Sequence, residues 1–424
     1  MKMDRKNIKN RINKLVKDFY KVPVTRNRKL LPISDLPYGH EEVNSAINAL
    51  LNGWISQGKN VEHFESKFSK KIGMKFGVAT NSGSSSNLVA LSALKSIYGL
   101  KDGDQVIVPA STFATVSMPV IQVGLTPVYV DINRETLNID TEELQKAIND
   151  KTRILMPVHT LGLPCDMKKI MEIAKKNNLL VFEDCCEAHG ASIDKKMVGS
   201  WGDVSAFSFF VAHNMTTGEG GMILTDDEDI YLKCQSIREF GRIKTKKAPK
   251  SIYYSDEVLK DYDRRYVFSD LGYNLRMTDI CAGLGIEQTK KLDDMNKIRL
   301  RNANYLRKNF INYYSKFFEV QIADDNYVHS YYTFSFTLKE GCSFNRKMLS
   351  LHLESKGIET RPMMAGTLPD QPGLRNCNGI IVGDLKNSRY VRDNTLFVGV
   401  HPLLDIQDMD YVLEEMNDFL SRNK

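Results

Sequence analysis

Between about residues 40 and 290 the apolar positions fall into two alternating textures. One has helical spacing: Val61, Phe64, Phe68 and Ile72 share a face, and Gly73 supplies a C-terminal stop. The other is a set of short apolar runs bounded by turn residues, which read as buried strands. These cover 76–80, 105–110, 126–132, 153–158, 179–183, 204–209 and 222–225. Helical segments separate most of them. Asp140-Thr141-Glu142-Glu143 predicts a helix start, with Asp140 as N-cap and Glu143 closing a capping box. Such alternation predicts an α/β fold whose mostly parallel sheet is covered by helices on both faces.

The pattern changes near residue 240. Arg242 to Arg265 is charged and aperiodic and reads as a long loop, of the kind that often carries function. One helix is expected from about Thr278 and a second from Lys291 to Phe310. Apolar runs at 331–338 and 357–361 and a helix over 406–420 predict a smaller C-terminal α+β domain. Ile8, Ile12, Leu15 and Val16 mark an amphipathic helix in an N-terminal arm that packs on the rest. The expected division is an arm over 1–40, a large domain over 41–290 and a small domain over 291–424.

Composition narrows the function classes. Lysine and arginine number 58 against 52 acidic residues, a net charge of +6. That balance is too mild to point to nucleic acid, and it suits a small anionic substrate. No stretch approaches the ~20 apolar residues of a membrane span. The first 17 residues are too polar for a secretory leader. Seven cysteines, an odd number with no C-x-x-C spacing, predict reduced thiols, a cytoplasmic location and no metal site.

Candidate chemistry gathers at the ends of the expected strands. Asn81-Ser82-Gly83-Ser84-Ser85-Ser86-Asn87 joins a strand to an apolar helix, a junction that aims N–H groups and hydroxyls at an anion such as phosphate. A plain serine-rich N-cap turn has the same look. Phe182-Glu183-Asp184 ends a strand in two carboxylates, where open α/β sheets bind ligands. A helix cap or a solvated strand end is the structural alternative. Phe113 follows a third strand and either stacks on a flat ring or packs in the core. His159 follows a fourth and either lines a site or makes a local hydrogen bond. Gly218-Glu219-Gly220-Gly221 lacks the spacing of a phosphate-binding P-loop and reads as a turn.

The stretches "NSGSSSNLVALSAL", "VFEDCCEAHGA", "SFFVAHNMTTGEGG", "LGYNLRMTDICAGLGIEQ" and "GIETRP" resemble, in order, those of the fold-type I sugar aminotransferases that use pyridoxal phosphate (PLP). The resemblance runs from about residue 33 to the C-terminus. Most of that family carries a lysine where this chain has His213. A histidine there is similar to one branch, the 4-keto-6-deoxysugar 3-dehydratases of 3,6-dideoxysugar biosynthesis. The resemblance implies a PLP/pyridoxamine phosphate (PMP) cofactor whose phosphate is held by Gly83, Ser84 and Ser208. Phe113 would stack on the ring, Asp184 would keep its nitrogen protonated, and Glu187 would lie near its hydroxyl. Asn274 would reach the phosphate of a partner subunit, which implies a homodimer with shared sites. Arg276 and Arg361 would either meet anionic groups of glutamate or the nucleotide or make ordinary surface salt bridges.

Two groups within that branch resemble the chain. One acts on a GDP-linked sugar. The other acts on a CDP-linked sugar and holds a [2Fe-2S] cluster on a cysteine-rich segment. No cysteine lies between Cys234 and Cys281 here, so the resemblance implies no iron–sulfur cluster and a GDP-type reaction driven by L-glutamate. The arm and "GTLPDQPGLRN" are closer to the CDP group. Imidazole forms no stable Schiff base but moves protons near neutral pH. His213 therefore predicts a tethered-free PMP enzyme that removes the C3 hydroxyl of a nucleotide-linked hexose or heptose. A sugar 4-aminotransferase and a non-catalytic binding protein are the alternatives.

Overall fold

A computed structural model describes residues 4–23, 30–35, 37–243, 257 and 259–423. Most of the 242–265 segment, read above as a long loop, lies outside the described residues. An eight-stranded sheet runs in the order Phe76–Thr80, Gly221–Thr225, Val204–Ser208, Leu180–Asp184, Thr152–Leu155, Gln105–Pro109, Thr126–Val130, Ile380–Ile381. Gly221–Thr225 is antiparallel to both its neighbours, and the other strands share one direction. Their C-terminal ends consequently open on the same edge.

Helices cover both faces because successive strand residues point to opposite sides. Val106 and Val108 face one core with Val89, Leu91 and Leu94 of helix Gly83–Tyr98 and Ile230 and Ile237 of helix Glu228–Arg238. Ile107, Leu155 and Val181 face another with Leu144 of helix Thr141–Ala147 and Ile170 of helix Met167–Asn177. In helix Lys59–Ile72, Val61, Phe64, Phe68 and Ile72 are all buried, and Gly73 ends the helix at φ 95°. Phe64 and Phe68 pack on Phe207 and Phe209. Each fully buried phenylalanine contributes roughly 1.5–3 kcal/mol.

All seven sequence-read strands are present, with ends shifted by up to three residues, the largest at Thr152–Leu155. Two expectations are corrected, and one strand is additional. Asp140 caps its helix, accepting from the N–H groups of Glu142 and Glu143, but the box is not closed. Glu143 turns to Lys146, and the Asp140 N–H goes to the Asp131 carbonyl. The strand Ile380–Ile381 was not foreseen; two residues carry no periodicity. The two helices expected around 278–310 are one, Asp279–Asn309, capped by Thr278.

Position 290, where the sequence suggested a division, lies inside this helix. Its Leu292 and Met295 pack on the large sheet's core, and its Ala303 and Leu306 on the core of a second unit. That unit has a four-stranded antiparallel sheet, Phe318–Val320, Phe334–Leu338, Thr395–Val398 and Thr360–Pro362, backed by helices Arg346–Ser355 and Ile406–Arg422. The N-terminal helix Arg5–Phe19 lies on helix His40–Leu51, with Asn44 Nδ2 donating to the Asn13 carbonyl (3.2 Å), and it leaves Ile8 and Leu15 exposed. Among the described residues no helix is long and apolar enough to cross a membrane.

Candidate active site

The open edge of the large sheet holds a cavity of about 270 Å³. Its floor begins where Phe76–Thr80 ends. Ser82 caps the next helix, its Oγ accepting from the Ser85 N–H (3.1 Å). The N–H groups of Gly83 and Ser84, in the first turn, have no partner within the helix and sit at the positive end of its dipole. Gly83 has to be glycine: a Cβ there would lie 2.5 Å from Ser208 Cβ and 3.0 Å from Ser208 Oγ. The Ser82–Ser84 turn and Ser208 thus close on one point, a cradle suited to a phosphate. Gly83→Ala is expected to weaken cofactor binding by about 10–100-fold and to lower the melting temperature as well, since the added methyl collides with Ser208. Cofactor titration followed by absorbance checks it.

Asp184 ends the central strand with its carboxylate in the cavity. Asn87 Nδ2 donates to Oδ2 (2.8 Å) and the Cys186 N–H donates to Oδ1 (3.1 Å). Glu183, one residue earlier, faces the other way. It accepts from the N–H groups of Gly199, Trp201 and Gly202 (2.7–2.8 Å) and lies 3.2 Å from His159 Nε2. His159 Nδ1 accepts from the Cys165 N–H (3.0 Å), so Nε2 carries the proton and donates to Glu183. That settles the alternatives for His159: it makes a local hydrogen bond and does not line the cavity. The paired acids therefore divide, Glu183 holding a loop and Asp184 facing the site.

His213 stands across the cavity on the loop that follows Ser208. Its Nδ1 is hydrogen-bonded to the Cys186 carbonyl oxygen. A carbonyl only accepts, so the proton is on Nδ1 and the Nε2 lone pair is left for chemistry. The ring packs against Tyr332, His189 and Phe210, with centroids 5.4, 5.9 and 6.2 Å away. Burial, with the positive Arg299 nearby, pushes the His213 pKa down to about 4. The imidazole is neutral at neutral pH and, once protonated, gives up its proton more readily than an ordinary imidazolium.

Glu187 lies beside this group. Its Oε2 accepts from the Leu161 N–H (2.7 Å), and burial pushes its pKa up to about 7. A raised carboxyl pKa stabilises the fold fully below the ordinary value near 4.5 and loses that contribution as pH rises through about 7. In the cofactor-free chain Glu187→Gln is therefore expected to match the wild type in stability near pH 4.5 and to exceed it by ~2 kcal/mol at pH 8. Denaturant unfolding at the two pH values tests this.

Phe113, the residue before helix Ala114–Gln122, is 51% exposed at the cavity wall beside Thr112, Thr115 and Val116. The cavity thus gathers Gly83, Ser84, Phe113, Asp184, Glu187, Ser208 and His213. It does not include Asn274, Arg276 or Arg361. Asn274 is exposed in a bridge with Glu239. Arg276 lies 3.6 Å from Glu239 and over the Phe240 ring, and Arg361 pairs with Glu359 and donates to the Thr360 carbonyl. Sequence reading missed Asn87, Tyr332 and Met364. Asn87 was findable, four residues after Gly83 on the same helical face; Tyr332 and Met364 arrive by tertiary packing alone.

A Ser-Gly-Ser turn at a helix start, an acid fixed at a strand end, a histidine with its Nε2 lone pair turned to the cavity and an exposed aromatic, all on one edge of a mostly parallel sheet, fit an enzyme of the PLP-dependent aminotransferase fold. The chain belongs to the DegT/DnrJ/EryC1/StrS aminotransferase family, whose pattern matches residues 37–417. It is 33% identical to the lipopolysaccharide biosynthesis protein RfbH of Salmonella typhimurium, over 99% of this chain and 100% of that one. It is 35% identical to the GDP-perosamine synthase of Caulobacter vibrioides, over 87% and 92%. The Escherichia coli GDP-4-keto-6-deoxy-D-mannose 3-dehydratase with bound hydrated PLP superposes with a TM-score of 0.83 at 32% identity, covering 91% of this chain and 98% of that one. A GDP-4-keto-6-deoxymannose 3-dehydratase has also been solved with a trapped PLP-glutamate geminal diamine.

Proposed function

We propose that the chain is a PMP-dependent 3-dehydratase of a nucleotide-linked 4-keto-6-deoxy sugar, GDP-linked in first place, with L-glutamate restoring the amine form. One observation carries this reading. The residue facing the cavity at the end of the cofactor loop is His213, and no lysine lines the cavity among the described residues. The bound cofactor would supply an amine for the C4 ketone and a pyridinium ring as electron sink. Gly83, Ser84 and Ser208 hold its phosphate, Phe113 covers the ring, and Asp184 keeps the ring nitrogen protonated. His213 Nε2 takes up a proton and returns it to the C3 hydroxyl as that group leaves. The sugar would lose one oxygen, the bound cofactor would supply the two electrons this needs, and its nitrogen would leave as ammonia before glutamate restores the amine form. Exposed Asn274 serves the phosphate of a second copy in a homodimer, and Arg276 and Arg361 meet substrate anions there. Seven free cysteines fit a reduced, cytoplasmic setting.

The test is an incubation with PMP, glutamate and GDP- or CDP-linked 4-keto-6-deoxy sugars, read by mass spectrometry. Loss of one oxygen with free ammonia is expected. Gain of nitrogen without ammonia would support the second reading, a sugar 4-aminotransferase, which the likeness to a perosamine synthase favours.

A further inference from the structure

The two loops that together set His213 meet on a single side chain of the long helix. Asn296 Nδ2 donates to the His189 carbonyl (2.7 Å), in the turn whose Cys186 carbonyl receives the His213 Nδ1 proton. Asn296 Oδ1 accepts from Asn214 Nδ2 (3.1 Å), and Asn214 is the residue after His213. Asn214 Nδ2 also donates to the Ser330 carbonyl (2.8 Å). One turn along the helix, Arg299 donates to the Tyr332 carbonyl (2.8 Å) and so fixes the ring that packs on His213. The fit is tight: a Cβ at Gly190 would lie 2.5 Å from Asn296 Nδ2.

We infer that Asn296 is a positioning residue for the catalytic imidazole: by tying the 185–191 turn to the 209–217 loop it keeps His213 Nδ1 on the Cys186 carbonyl and leaves Nε2 for the substrate. The inference rests on the dehydratase reading for its kinetic arm only. Asn296 does not line the cavity. A purely structural asparagine would lower stability without changing the state of the ring.

The test uses Asn296→Ala, which keeps a good helix former, and Gly190→Ala, which pushes the same amide away from the other side and also strains a turn residue held at φ 82°. Histidine is labelled with ¹⁵N in the full-length protein, and the His213 signal is assigned with a His213→Gln sample. In the wild type at pH 7.5 His213 is expected as a single Nδ1–H tautomer; in both variants it becomes a mixture. Turnover per cofactor-loaded site falls about 10–100-fold, while cofactor affinity stays within about twofold. A His213 tautomer identical to the wild type's in whichever variant folds, with turnover unchanged, would overturn the inference. If the wild type itself acts on no nucleotide sugar, the functional reading fails and the tautomer measurement still decides this one.

Discussion

His213→Lys is expected to lose nearly all 3-deoxygenation and to hold covalently a cofactor that the wild type binds reversibly. The wild-type ring has no amine to condense with an aldehyde, and its Nδ1 is committed to the Cys186 carbonyl. A lysine at 213 enters a part-buried position walled by Phe210, His189 and Tyr332 and close to Arg299. Desolvation and that neighbouring positive charge both favour the neutral amine, the nucleophilic form. Borohydride reduction should leave the reduced cofactor on the variant chain and none on the wild type, as read from intact mass. Dehydration should fall by about 10³-fold, within the range for loss of a positioned acid–base group. His213→Asn separates the two effects: it should lose dehydration to a similar degree and trap nothing. Dehydration by His213→Lys at the wild-type rate would remove His213 from the mechanism.

The large sheet was legible because its strands are buried on both faces and separated by helical spacing, so a short apolar run ending in polar residues marks both the strand and the mouth of the site. Ser82, Phe113 and Asp184 all follow this rule. His213 was legible by resemblance, since nothing in its own spacing distinguishes a base from a loop histidine. What escaped reading depends on partners remote in sequence. The run Glu287 to Lys291 looks like an interruption between two helices, yet Gln288 and Thr289 are buried. Gln288 Nε2 donates to Glu42 (2.9 Å) and its Oε1 accepts from the Thr216 N–H (3.3 Å), contacts that let a polar segment remain helical inside the protein. Asn296 and Arg299 of the same helix likewise meet partners remote in sequence, the Asn214 side chain and the Tyr332 carbonyl. The Ile380–Ile381 strand is held by pairing with Val128 and Tyr129, and no local pattern signals it.

Asp184→Asn is expected to cost about as much turnover as His213→Lys, and the reason lies in its hydrogen bonds. Both carboxylate oxygens already accept, one from Asn87 Nδ2 and one from the Cys186 N–H. An asparagine of the same shape must turn its NH2 group towards one of these donors, leaving a buried donor unpaired at roughly 1–3 kcal/mol. It also carries no negative charge to hold a proton on a pyridine nitrogen, so the ring of a bound cofactor becomes a weaker electron sink. Turnover is expected to fall about 10³-fold, comparable to losing a preorganised electrostatic group, with the phosphate cradle intact and cofactor affinity lowered far less. Asn87→Ala should act in the same direction but more weakly, since it removes one donor and leaves the charge. A cofactor analogue permanently methylated on the ring nitrogen separates charge from sterics: it should restore part of the Asp184→Asn activity, and no gain over the normal cofactor would mean that Asp184 acts through the shape of the site rather than its charge.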